Sequence, residues 1–218
     1  MGSEKLLAFG ARNVPIIAKG EQFVFVQNLE QVAEFIGLQS AGHTPLPTDV
    51  LIRKWINVLR AAQRFILQIA GQRLNESVIE NRPRSIRSLG HHIFRIGEAY
   101  LETAVDGAEF LPMENAGQAA LPSEGTFTTA EEIARYGEIV IRRLEKWWAE
   151  LADKSSEQKV KTFFGLQPLY VLYERSTWHS AQHVRQLAAV LERFHIQPNG
   201  SLTVEDLAGL PLPDRLWE

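Results

Sequence analysis

Cysteine is absent from all 218 residues. That excludes disulfides, Cys-ligated zinc, iron–sulfur clusters and a cysteine nucleophile. A strong excess of one charge is missing too. The formal net charge is -3, and no basic stripe with interleaved aromatics runs along the chain, so nothing favours nucleic acid as a partner. No apolar run approaches the roughly 18 residues of a membrane span. The opening MGSEKLLAFGA carries Glu4 and Lys5 and lacks the apolar core of a secretion signal. A soluble cytoplasmic chain without a membrane partner is the expectation. What is present is a normal hydrophobic share, 45%, enough for a sizeable core. The length suits one domain with a small appendage.

The first stretch, 1–40, differs from the rest. Val14–Ile17 and Phe23–Val26 are β-type runs, and Lys19-Gly20-Glu21 between them is a hairpin-turn signal. Asn28 is placed to cap a short helix containing Leu29, Val32, Ala33, Ile36 and Leu38, with Gly37 near its end. A hairpin and one helix bury too little surface to stand alone. This piece is expected to pack on the remainder or on a second copy of the chain, which makes a homodimer the expected assembly.

After a Pro/Gly/Thr-rich linker at 40–48, four long segments carry the helical period. The first runs over 49–74 with Thr48 as N-cap; its stripe is Leu51, Trp55, Val58, Ala62, Phe65 and Ile69. The second, 83–106, opens at Pro83 and carries Ile86, Leu89, His92/Ile93, Ile96 and Tyr100. The third starts at the capping-box pattern of Thr128-Thr129-Ala130-Glu131, with Ile133, Tyr136, Val140, Leu144, Trp147 and Leu151 inward. The fourth runs from Pro168 to 195 with Leu169, Leu172, Ser176, His179, His183, Leu187, Val190 and Phe194 on one side. Four such helices predict a mainly α fold, a four-helix bundle over 48–196. The long 109–127 connection is either a crossover or a flap. The tail, 197–218, is expected to hold a short helix at 203–207 and then lie extended over the bundle.

Six histidines are His43, His91, His92, His179, His183 and His195. His179 and His183 stand one helical turn apart, so both imidazoles can reach one ion. Composition alone yields roughly 0.16 such pairs, so spacing is only a modest hint. It is not a zinc-protease motif, because Ser180 follows His179. Position adds weight: both fall on the inward stripe, where each ring nitrogen needs a partner. The second helix offers a third ligand. His91 belongs with Arg84, Ser88, Arg95, Glu98 and Glu102, a polar stripe expected to face solvent, whereas His92 belongs with Leu89 and Ile96. The candidate triad is therefore His92, His179 and His183. The competing reading is three core histidines satisfied by Ser, Tyr or Glu neighbours. Three imidazoles leave a divalent ion an open position, the layout of a catalytic site, and suit zinc, nickel, iron or copper. Glu98, Tyr173 and Glu174 are candidate supporting groups that the sequence does not place.

Ser88-Leu-Gly-His-His-Ile93 and Glu174-Arg-Ser-Thr-Trp-His-Ser-Ala-Gln-His-Val-Arg-Gln-Leu187 resemble the DinB-like superfamily of metal-binding four-helix bundles. The resemblance covers 48–196. It implies a divalent metal, zinc or nickel, on His92, His179 and His183. It also implies a metal-dependent S-transferase acting with a low-molecular-weight thiol. A metal-dependent hydrolase, or a non-catalytic metal-binding stress or interaction protein, are the alternatives. Asn13-Val-Pro-Ile-Ile17 with its hairpin and helix is similar to the C-terminal half of a glutaredoxin-like domain. That likeness implies a cis bond at Pro15 and a thiol-holding or dimerisation surface.

Overall fold

A computed structural model describes residues 16–26, 29–38, 44–79, 84–111 and 126–217. Within them the chain is mainly helical, with a small N-terminal two-stranded antiparallel hairpin. Strands β1 (Ile16–Lys19) and β2 (Gln22–Phe25) pair in the register Lys19↔Gln22. Gly20 closes the turn at φ 64, a conformation costly for a side-chain-bearing residue. Helix α1 (Leu29–Ile36) follows and ends at Gly37, φ 76. Its expected cap Asn28, like Pro15 with its implied cis bond, lies outside the described residues.

Four long helices follow: α2 (Thr48–Ile66), α3 (Ile86–Ala104), α4 (Ala130–Glu150) and α5 (Leu169–Arg193). Their starts have local causes. Thr129 and Glu132 form the reciprocal capping box of α4, and Ser85 accepts from the Ser88 amide at 3.0 Å to open α3. Pro168 precedes α5 with its φ already fixed by the ring. At the far end of α5, His195 takes φ 57. Its amide bonds the Glu192 carbonyl and that of Ile196 bonds Leu191, both at 2.9 Å, the Schellman pattern. His195 thus ends a helix, and its side chain is exposed.

Several boundaries differ from the sequence expectation. Thr48 is inside α2 rather than its cap: Pro47 holds the N-cap, and the Thr48 hydroxyl donates to the Lys154 carbonyl at 2.7 Å. The first segment does not stay helical to 74. The α-helix stops at Ile66, and a 3-10 turn at Gly71–Arg73 carries the chain on while Ile69 and Leu74 remain buried. An apolar stripe demands inward side chains, which a looser turn also supplies. The second segment begins at Ile86; Pro83 lies outside the described residues. A second hairpin, β3 (Lys159–Thr162) and β4 (Gly165–Pro168), was not foreseen. Phe110 adds to it through hydrogen bonds to Lys161 and Phe163, both 2.9 Å. Of the long connection expected at 109–127, residues 112–125 lie outside the description.

Helices α2 and α3 each pack mainly against α4 and α5, which closes a ring α2–α5–α3–α4 around one core. Trp55, Tyr100 and Tyr173 are fully buried at its centre, and the Trp55 indole N–H donates to Ser180 Oγ at 3.0 Å. The α3–α4 contact is close because glycine stands on both sides. A Cβ on Gly137 would lie 2.5 Å from the Phe94 ring, and one on Gly97 would lie 2.8 Å from Val140.

The stripe holding Arg95, Glu98 and Glu102 is not solvated as expected. Arg95 and Glu98 are buried against α4: Tyr136 donates to Glu98, Arg143 pairs with Glu98 at 3.3 Å, and Arg95 pairs with Glu102 at 3.0 Å. Charge pairing makes that burial tolerable, a compensation that periodicity cannot reveal. The N-terminal hairpin does meet the rest of the chain: Phe25 packs on the core and lies edge-on to Phe163, 5.5 Å between centroids. The tail forms α6 (Val204–Leu207), capped by Thr203 and tied to α2 by Asn57–Asp206 at 2.7 Å, then runs along α5.

Candidate metal centre

Helix α5 is engaged on three faces, each with its own sequence register. Ser176 and Ser180 point into the core. His179 and His183 point at α3. Gln182, Arg185 and Gln186 receive the tail. One turn of rise separates His179 from His183, which brings their Nε2 atoms to 3.0 Å. From α3, His92 meets both rings edge-on, with centroids 5.4 Å from His179 and 4.8 Å from His183. One ring nitrogen of each residue lies within 4.8 Å of the others, so the three form a group that can hold a metal ion.

Burial sets the protonation of the cluster. Burial, followed by the neighbouring His183, holds His92 well below the usual imidazole range. Burial acts first on His179 also, followed by His183 and Arg175. His183 is pulled down to about 4 by burial and then by Arg84, against a small opposite pull from Gln186. All three are neutral near pH 7, the form in which imidazole donates a lone pair to a metal. Arg84 and Arg175 therefore place positive charge close to the cluster, and burial lowers Arg175 itself to about 10.

The donor set fits a divalent ion. Zinc at about 2.0–2.1 Å from each nitrogen in tetrahedral geometry sets its ligand nitrogens about 3.4 Å apart. The observed separations reach 4.8 Å, so closing on one ion takes combined side-chain movement of about 1.5 Å, which small rotations about the imidazole torsions supply. Support is uneven. His183 Nδ1 lies 2.7 Å from Gln186 Oε1. His179 Nδ1 is buried with no hydrogen-bond partner among the described residues. The Trp178 ring leans on His179, 5.8 Å between centroids. His92 and His179 are only half-buried, so the group is reachable.

Other expectations fall elsewhere. His91 packs against Tyr136 at 5.5 Å and Phe127 at 5.3 Å, rings that also stack on each other at 5.0 Å, on the α4 side of α3 and away from the triad. Glu98 is occupied by Tyr136 and Arg143, and Tyr173 belongs to the aromatic cluster with Trp55, Tyr100 and Trp147. Neither supports the histidines. The supporting group is Gln186, three residues after His183. Its i, i+3 spacing was visible in the sequence, but its role depends on the tail beyond it. His43 lies outside the described residues.

No protein-family model matches the chain, and no curated protein matches it. Among the described residues, no helix is long and apolar enough to cross a membrane.

Proposed function

We propose that the chain is a DinB-like four-helix bundle that holds zinc or nickel on His92, His179 and His183 and acts as a thiol S-transferase. The observation that carries this reading is the convergence of three neutral, partly reachable imidazoles from two helices. The closed ring of α2–α5 helices supports the bundle. A divalent ion held there would supply Lewis acidity, which lowers the pKa of a bound thiol.

The chain's own residues do the rest. Gln186 holds His183 with its Nε2 toward the cluster. Arg84 and Arg175 favour an anionic ligand over a neutral one, which suits a thiolate. Trp178 covers one side of His179 and limits water there. His92 and His179 are half-buried and not sealed, which favours turnover over a closed storage site. The N-terminal hairpin and α1, with Ile36 and Leu38 exposed, serve in this proposal as a homodimer contact in a cytoplasmic protein.

Elemental analysis of protein purified without chelators and reconstituted tests the metal. A thermal-shift screen with small thiols then tests the ligand. Near-stoichiometric metal and a thiol-dependent shift that vanishes in His183→Ala are the expected results. A chain that takes up no divalent metal refutes the proposal. Metal without a thiol response, combined with ester or amide cleavage, would move the reading to a hydrolase.

A further inference from the structure

The C-terminal tail is received by side chains of α5 in an unbroken series. Arg185 donates to the Pro213 carbonyl at 3.0 Å, and Gln182 donates to Arg215 at 3.2 Å and Leu216 at 2.8 Å. Gln186 donates through Nε2 to Leu216 at 2.9 Å. Arg185 also donates to Gln182 Oε1 at 2.8 Å, which fixes that amide. A backbone carbonyl can only accept, so the Gln186 amide must turn its N–H toward Leu216. Its Oε1 is thereby turned toward His183 Nδ1, 2.7 Å away. An acceptor there puts the His183 proton on Nδ1 and leaves the Nε2 lone pair facing His179 Nε2 at 3.0 Å.

We infer that Gln186 is a positioning residue for the histidine cluster and that the docked tail, through the Leu216 carbonyl, sets its orientation. The metal centre is then only partly encoded in the helices: it is completed by residues 213–216. Coupling of this kind is reciprocal, so whatever binds the cluster also holds the tail down. The inference rests on the metal reading above.

The test is a cycle of four proteins: the full chain, Gln186→Met, a chain ending at Leu210, and the combination. Zinc affinity is measured by competition with a chromophoric chelator, and fold is checked by circular dichroism. Each single change should weaken zinc about 10–100-fold. The combination should be hardly weaker than either alone, because both remove one linkage. Nitrogen-15 shifts of the metal-free full chain should show His183 with its proton on Nδ1, and a tautomer mixture in both variants. Limited proteolysis should release the tail more slowly with zinc than without it. Losses that multiply in the combination would overturn the inference. So would folded variants with unchanged affinity and an unchanged tautomer, and either result leaves the metal reading standing. A full chain that binds no zinc removes that reading and this inference together.

Discussion

His91 and His92 are neighbours in sequence and opposites in space, so changing each to alanine should separate stability from metal binding. His91 packs against two aromatic rings, at 5.5 and 5.3 Å. A ring pair of this kind contributes about 0.5–1.5 kcal/mol. With the half-buried packing that goes with it, His91→Ala should cost about 1–2 kcal/mol. For a chain of this length that is a fall in Tm of roughly 3–6 °C. Metal uptake should not change. The rings that His92 meets are the imidazoles of His179 and His183, and its removal deletes a polar group held neutral by burial. His92→Ala should therefore leave metal-free stability within about 1 kcal/mol. Its effect should appear with zinc. At a free concentration 100 times Kd, a ligand stabilises by about 2.7 kcal/mol. The full chain and His91→Ala should gain that increment as a Tm rise of roughly 5–10 °C. His92→Ala should gain almost none at the same zinc concentration. Paired melts with and without zinc, scored alongside metal content, make the assay. Metal loss from His91→Ala equal to that from His92→Ala would refute the assignment of the two faces of α3.

Acid should weaken the metal-free fold in a defined window. The unfolded chain protonates His183 near pH 6.5, but the folded chain does not until about 4. Stability should therefore fall as pH drops from 6.5 to 4, by about 3 kcal/mol from His183 alone, and that contribution should level off below. Urea melts across this range check it, and a flat profile contradicts it. Tyr136→Phe removes the donor to the buried Glu98 carboxylate and should cost about 1–3 kcal/mol in a urea melt, with zinc uptake kept. Gly137→Ala drives a methyl into the Phe94 ring. Overpacking of about 1–3 kcal/mol should outweigh the roughly 1 kcal/mol gained in helix propensity, so Tm should fall.

The long helices and their inward stripes were legible because they follow a 3.6-residue period over many turns. Trp55, Phe65, Leu144 and Leu187 are buried as the stripes require. The same period puts His92 on the side of α3 that meets His179 and His183, although Arg95 and Glu98 on the stripe that holds His91 are buried, not solvated as expected. The β3–β4 hairpin was not legible. Lys159-Val-Lys-Thr162 and Gly165-Leu-Gln-Pro168 are short and polar, and their strand state comes from pairing with each other and from Phe110. The burial of Arg95 and Glu98 escaped notice because a charged stripe that finds partners on another helix looks like a wet one. Gln186 escaped for a related reason: nothing local says that a carbonyl thirty residues later will orient its amide.

The glycine notch between α3 and α4 has an angular consequence. Phe94 seats over Gly137, and Val140 seats over Gly97. Successive helical residues turn by 100°, so Phe94 and His92 leave α3 in nearly opposite directions. A key in a slot on one side resists roll of the helix about its own axis. An imidazole nitrogen stands about 6 Å from that axis, so a roll of 10° sweeps it through about 1 Å, enough to spoil a ligand set. Aim on the α5 side is thus governed by two residues that lack a side chain on the other.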